Sequence, residues 1–289
     1  MEAGSHNLVI YLDLGDTLVR LKRQFFETVA MYVALLGGCL LNDVFELSVL
    51  VKKIERMFKD EWAFHSPETF RHIRQKPEEY DFWVFFFTDM LNRHSIIDPS
   101  RDLVDYLARA QMNPHSFQCF PDVKKTLDSL GDLGIEFGVI SNAFPSASDI
   151  MDHLKLTDYF KYRILSCEPP FGSSGVFAKP MPDIYKHAIK CAGHSAYPIF
   201  FVDDRPSFVQ GASDAGMRAF LIDREERFPD WHGQVTRIAS LTEIKKHLRV
   251  PIQTNVFAPR RNHWDARIET EKHFCRLNWN FEAQQNVLV

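Results

Sequence analysis

Several features are scarce or missing in these 289 residues. Cysteine is limited to Cys39, Cys119, Cys167, Cys191 and Cys275, an odd number with no CxxC spacing. That argues against a disulfide framework and against a zinc site, and reads as buried thiols in a reducing cytoplasm. No apolar run reaches the ~18 residues that a membrane helix needs. The opening stretch, MEAGSHNLVIYLDL, has no charged segment leading into a long apolar one, so no secretory signal is expected. Charge of one sign is not in excess: 34 Lys and Arg stand against 38 Asp and Glu, and the basic residues are spread out without long runs. Neither nucleic acid nor an anionic membrane is therefore an expected partner, whereas a small anionic substrate needs only local positive charge. Repeats and low-complexity tracts are absent as well. What remains is a chain that is 45% hydrophobic, enough for one large domain or for a core domain with an insertion. The expectation is a soluble, cytoplasmic protein.

Three short apolar runs share one pattern. LVIYL (8–12) stops at Asp13 and a glycine, IEFGVISNA (135–143) ends in Ser141 and Asn142, and YPIFFVDD (197–204) ends in Asp203 and Asp204. Each reads as a buried strand that delivers residues to its carboxyl end. Helical patterns follow the second and third at 147–156 and 207–215. Another helix, 122–134, ends in glycine before the second run, and RAFLID (218–223) reads as one more strand. The alternation predicts an α/β fold, a Rossmann-like doubly wound parallel sheet with helices on both faces. In such a sheet, ligands bind beyond the carboxyl ends of the strands.

The segment from 20 to 115 differs, with helical periodicity and few strand signals, as in DVFELSVLVKKIERMFKDEW and YDFWVFFFTDMLNRH. It is expected to be an all-helical cap inserted into a core formed by 1–19 and 116–249. Its aromatics (Phe82, Trp83, Phe85, Phe86, Phe87) are expected mainly as helix core, with stacking on a base or sugar as the alternative. Residues 250–289 have no clear period but are too apolar for a typical disordered tail. They are expected to pack on the body or on a second subunit, which leaves a homodimer open.

Four pieces thus come to one sheet edge: Asp13 with Thr17, Ser141 with Asn142, Lys179 in AKPMPDIY, and Asp203 with Asp204. Phosphoryl transfer needs a nucleophile, a metal to offset the phosphate charge, and donors for the equatorial oxygens. Asp13 suits the nucleophile. Asp13, Asp204, Asp203 and the carbonyl of Gly15 offer hard oxygen ligands for Mg2+. Ser141, the Asn142 amide, Thr17 and Lys179 suit substrate binding, and Lys179 also eases the crowding of carboxylates.

These pieces, DLGDTL, VISNA, KPMPDIY and FFVDDRPSFVQGASDAGM, resemble in order the four motifs of the haloacid dehalogenase superfamily, aspartate-nucleophile phosphatases with a helical cap. The resemblance runs over residues 8 to about 225. It implies an Mg2+-dependent phosphatase that hydrolyses a small phosphorylated metabolite, of the sugar phosphate or nucleotide class, through an aspartyl phosphate on Asp13. The glucose-1-phosphatase branch is similar in its first and fourth motifs, although Phe208 stands where that branch has asparagine.

One position departs from the pattern. Most phosphatases of this family carry, two residues after the nucleophile, an aspartate that protonates the leaving alcohol; here it is Gly15. A general acid is worth ~10²- to 10⁴-fold, so its absence favours a leaving group that needs little help, such as an anomeric sugar phosphate. Asp16 is one residue displaced and is read as stabilising the turn. Two alternatives stay open. One is a phosphonate C–P hydrolase, whose Schiff-base lysine would be Lys52 or Lys53; the other is a non-catalytic binding protein on the same fold. His65 and His72, on a predicted cap helix, are candidates for the missing proton source. The segment 166–179, with its glycine-serine loop, is a candidate to close over phosphate.

Overall fold

In a computed structural model of the chain, the described residues are 8–36, 44–63, 69, 72–93, 99–170, 176–193 and 198–248. Strand β1 (Val9–Leu12) is buried at every position, as an uninterrupted apolar run at the centre of a sheet must be. β2 (Val19–Leu21) leads into four helices: α1 (Arg23–Leu36), α2 (Val44–Ala63), α3 (Lys76–Arg93) and α4 (Arg101–Met112). The chain returns through β3 (Phe117–Cys119). Alternation then begins: α5 (Val123–Gly131), β4 (Glu136–Ser141), α6 (Ala147–His153), β5 (Phe160–Leu165), α7 (Pro182–Ala192), β6 (Phe200–Asp203), α8 (Pro206–Asp214) and β7 (Arg218–Ile222). β8 (Thr236–Ile238) and the short α9 (Ile244–His247) follow.

The main sheet has six strands in the order β5-β4-β1-β6-β7-β8, and every neighbouring pair is parallel. Core strands after β1 are laid first on one side of it, as β4 and β5, and then on the other, as β6, β7 and β8. β1 is therefore the topological switch point, where crossover connections part and leave a crevice at the carboxyl ends. Gly138 in the middle of β4 has a packing reason: a Cβ there would lie 2.3 Å from the ring of Tyr11 on the adjacent strand. The Tyr11 hydroxyl donates across the layer to the carbonyl of Ala188, at 2.7 Å.

The expected α/β core is present, and the segment between β2 and β3 has its described residues mainly in α1 to α4. One feature of it was not anticipated: β2 and β3 pair antiparallel, Val19 opposite Cys119 and Leu21 opposite Phe117, so the insert joins the core through a two-stranded ribbon. The insert has its own apolar cluster, which includes Phe25, Phe26, Val29, Ile54, Trp83, Phe86, Phe87, Met90, Leu103 and Leu107, and which reaches Phe144 and Ala178 of the sheet side. Trp83, Phe86 and Phe87 are thus helix core, while Phe85 is 64% exposed. The tail from 250, His65, and residues 171–175 of the glycine-serine loop lie outside the described residues. His72 is described, and it sits in an exposed turn between α2 and α3 rather than on a helix. α2 ends at Ala63 and α3 starts at Lys76, so His72 belongs to neither helix. Among the described residues, no helix is long and apolar enough to cross a membrane.

A buried carboxylate ties the insert to the sheet. Glu79 of α3 is 1% exposed. It accepts from the backbone N–H of Ser146 at 2.8 Å, from the Ser146 hydroxyl and from Trp83 Nε1 at 3.2 Å. Burial pushes its pKa up, and the three donors only partly offset this. Glu79→Ala leaves those donors unpaired in a buried place, and a loss of about 2–3 kcal/mol is expected in urea denaturation. Because the folded carboxyl holds its proton to higher pH than the unfolded one, stability falls as pH rises from the ordinary glutamate range through the raised value. Glu79→Gln, which keeps an acceptor but does not ionise, is expected to cost less and to remove that slope. An unchanged slope would contradict the burial argument.

Candidate active site

Three adjacent strands of the switch point supply the centre. Asp13 directly follows β1, Ser141 is the last residue of β4, and Asp203 is the last residue of β6, with Asp204 next. The backbone N–H of Asp13 donates to the carbonyl of Val202 at 2.9 Å, which continues the β1–β6 ladder to the reacting end. Lys179, from the stretch before α7, is 1% exposed. Its ammonium lies 2.6 Å from Asp13 Oδ1 and 2.5 Å from Asp203 Oδ2. Asn142 fixes this lysine through its backbone: Asn142 Oδ1 accepts from the Lys179 N–H at 2.6 Å, and Asn142 Nδ2 donates to the Lys179 carbonyl at 2.8 Å. The Asn142 side chain is therefore a clamp between two loops.

Electrostatically the centre is a crowd of buried acids. Burial pushes the Asp203 carboxyl up to about 8; Asp13 and Asp204 add to this, against the pull of Lys179. Asp204 is raised by burial and by Asp13, although Arg227 Nη2 donates to its Oδ2 at 2.8 Å. For Lys179, burial alone would lower the pKa, but the charges of Asp13 and Asp203 outweigh it and the net direction is upward. Asp16, held at φ 54° in the left-handed region, is pushed up to about 6 by burial and then by Asp204.

One ligand atom from each of Asp13, Asp203 and Asp204 lies within 4.8 Å of the other two. Oxygens bound to one Mg2+ at ~2.1 Å are separated by roughly 3–4.2 Å, somewhat closer than this limit, and the all-oxygen, buried donor set has the chemistry that suits a small hard divalent cation. No other cluster of three metal-ligating side chains occurs among the described residues.

A cavity of about 380 Å³ opens on this centre between the sheet and the helical insert. Asp13, Gly15, Ser141, Asn142, Lys179 and Asp204 line it, joined from the insert by Phe26, Phe58, Lys59 and Trp83. Of the residues expected from the sequence, Asp203 stands behind Lys179, fully buried, and does not line the cavity. Thr17 does not reach it either. It is completely buried, and its Oγ1 has no hydrogen-bond partner among the described residues. Its carbonyl instead accepts from Arg224 at 2.8 Å. Lys52 and Lys53 are exposed on α2 and are absent from the cavity wall, which removes the support for a Schiff-base lysine at those positions. Two turns on, Lys59 does line the cavity, but it is tied to Glu225 at 2.7 Å.

Sequence reasoning missed Arg227 and Glu79, whose roles depend on contacts with distant segments. Arg205 was visible beside the paired aspartates, but nothing in its spacing marked it.

The chain is 32% identical over 143 residues to a phosphatase of Mycobacterium tuberculosis, a stretch that is 49% of this chain and 59% of the relative's length. It is 24% identical over 221 residues to haloacid dehalogenase-like hydrolase domain-containing protein 3 of Danio rerio, 74% of this chain and 84% of that protein. Its fold is similar to that of a HAD phosphatase from Thermococcus onnurineus, with a TM-score of 0.51 and 23% identity, covering 84% of this chain and 98% of that one. Residues 9–216, which contain all four strand-end pieces, match the haloacid dehalogenase-like hydrolase family, and the chain belongs to that family.

Proposed function

We propose that the protein is an Mg2+-dependent phosphatase acting on a small phosphorylated metabolite, with Asp13 as nucleophile. The observation that carries this reading is the contact of Lys179 with one oxygen of Asp13 beside a three-carboxylate cluster, with Asp13, Lys179 and Asp204 lining the cavity. The phosphatase among its relatives supports the same reaction class.

In this reading Lys179 holds Oδ1 of Asp13 and so orients Oδ2 for attack on phosphorus. The Asp13–phosphorus bond forms as the bond from phosphorus to the leaving oxygen breaks, and water then releases inorganic phosphate from the aspartyl phosphate. Ser141, the Asn142 amide and Lys179 donate to the transferred oxygens. Asp13, Asp204, Asp203 and the Gly15 carbonyl would offer the metal its oxygens, Asp203 being bonded to Lys179 as well. A metal held there would offset the phosphate charge that these carboxylates otherwise repel. The helical insert forms the wall facing the leaving group and acts as the cap.

The test is phosphate release from a panel of sugar phosphates, nucleotides and acyl phosphates, with magnesium and with chelator. Activity that survives complete chelation would overturn the metal assignment, and no release from any class would overturn the reaction.

Position 15 gives a sharper prediction. A side chain there meets nothing within 4 Å, so Gly15→Asp is accommodated and returns a carboxyl group two residues from the nucleophile. It is expected to raise kcat/KM by ~10²-fold or more for poor leaving groups and much less for good ones. An equal gain on both would refute the leaving-group argument.

A further inference from the structure

Arg205 is the cavity-lining cation that the scheme above leaves unused. Lys179 is occupied by Asp13 and Asp203, and Lys59 by Glu225. Arg227 is held by Asp204, and Arg224 by Asp122. Arg20 also lines the cavity, but it is exposed and rests on the ring of Phe120. Arg205 is half-buried, and among the described residues no carboxylate forms an ion pair with its guanidinium, its neighbour Asp204 being paired with Arg227. Asp204 feels its charge, but only after the direct bond from Arg227.

Its position is nonetheless well determined. The Arg205 N–H donates to Asp203 Oδ1 at 2.9 Å, and its carbonyl accepts from the N–H groups of Phe208 and Val209 at 3.1 Å each. Pro206 then starts α8 with its φ already near the helical value. Above this backbone the guanidinium lies 5.4 Å from the centroid of the Phe208 ring. The same ring faces the Lys179 ammonium at 4.8 Å. These distances put the two cations no more than about 10 Å apart, each steadied by attraction to one aromatic face.

A guanidinium stripped of part of its water, braced on a ring and given no direct counter-ion is an incomplete anion site. Burying such a charge without a partner costs free energy that an anionic ligand would return. The transferred phosphoryl already has Lys179 and the donors of the β4 end.

We propose that Arg205, braced by Phe208, is a second anion receptor of the cavity, and that the substrate carries a carboxylate or a second phosphate within reach of it. This rests on the phosphatase reading for the place of the first phosphoryl group. It makes Arg205 a specificity-determining residue, and it gives Phe208 a role, as the surface that spaces the two cations.

The test is calorimetric binding to the full chain carrying Asp13→Asn, with magnesium, so that it does not depend on turnover. Two probe pairs differ in one anionic group: 3-phosphoglycerate against glycerol 3-phosphate, and fructose 1,6-bisphosphate against fructose 6-phosphate. In at least one pair the doubly anionic member is expected to bind ~10- to 100-fold more tightly. Adding Arg205→Met is expected to collapse that ratio, and Arg205→Lys to keep part of it. No preference in either pair, or equal weakening of both members by Arg205→Met, would overturn the proposal. Phosphate release by the unmutated protein is scored separately: selective binding without turnover would overturn the phosphatase reading and leave the anion receptor standing.

Discussion

Asp13→Asn is expected to lower phosphate release by at least about 10⁴-fold, because a neutral amide cannot form the phosphoenzyme and the groups of such a site act as one unit. The fold should survive unharmed. The substitution keeps the shape of the side chain, the backbone N–H bond to Val202 is untouched, and Lys179 retains Asp203. It would also remove one of three buried carboxylates that repel each other, so the midpoint of urea denaturation is expected to stay level or rise. Purified Asp13→Asn protein that turns over within tenfold of the unmutated chain would exclude Asp13 as nucleophile. A large drop in the denaturation midpoint would mean that lost activity reports lost structure.

Lys179→Met is expected to remove activity and also to cost about 3–5 kcal/mol of stability, the range found when one member of a buried ion pair is deleted. The ammonium is 1% exposed and touches two acids. Without it, Asp13, Asp203 and Asp204 face one another with Arg227, on Asp204, as the directly bonded counter-charge. The double variant Lys179→Met/Asp203→Asn removes one of the stranded charges and should regain part of the stability, though none of the activity. Lys179→Arg is not expected to rescue, because the rings of Phe201 and Phe208, with centroids 5.5 and 4.8 Å from the ammonium, leave little room for a planar guanidinium. Equal stability of the single and double variants would show that charge crowding is not what the lysine relieves.

The two predictions differ for a reason that bears on the whole site. In the proposed scheme Asp13 serves the chemistry at an expected cost in stability, whereas Lys179 is expected to make that arrangement tolerable. Position 15 differs from both: a Cβ there would meet nothing within 4 Å, so packing of the turn does not by itself require glycine.

Much of this was legible along the chain. β1, β4, β6 and β7 are short apolar runs ended by polar residues, and a run buried on both faces needs no partner to be recognised. Because such strands lie parallel, their carboxyl ends share one edge. Asp13, Ser141, Asn142, Lys179 and Asp204 could thus be grouped before any coordinates, and they do line one cavity. The insert was legible by its helical period. Less visible were β2, β3, β5 and β8: three have only three residues and β5 is largely half-buried, too short or too mixed to show a period.

Local sequence therefore determined which residues end each strand, and with them the family and the chemical character of the centre. Tertiary structure decided which way those residues face. It turned Thr17 inward, put Asp203 behind Lys179, and used the Asn142 side chain to clamp the lysine backbone. It also brought Arg227 to Asp204 across 23 residues, Glu79 to Ser146 across 67, and two cations to one phenylalanine ring. Strand ends are written in nearest-neighbour pattern, whereas burial, charge pairing and side-chain direction arise only when distant segments close around the same volume.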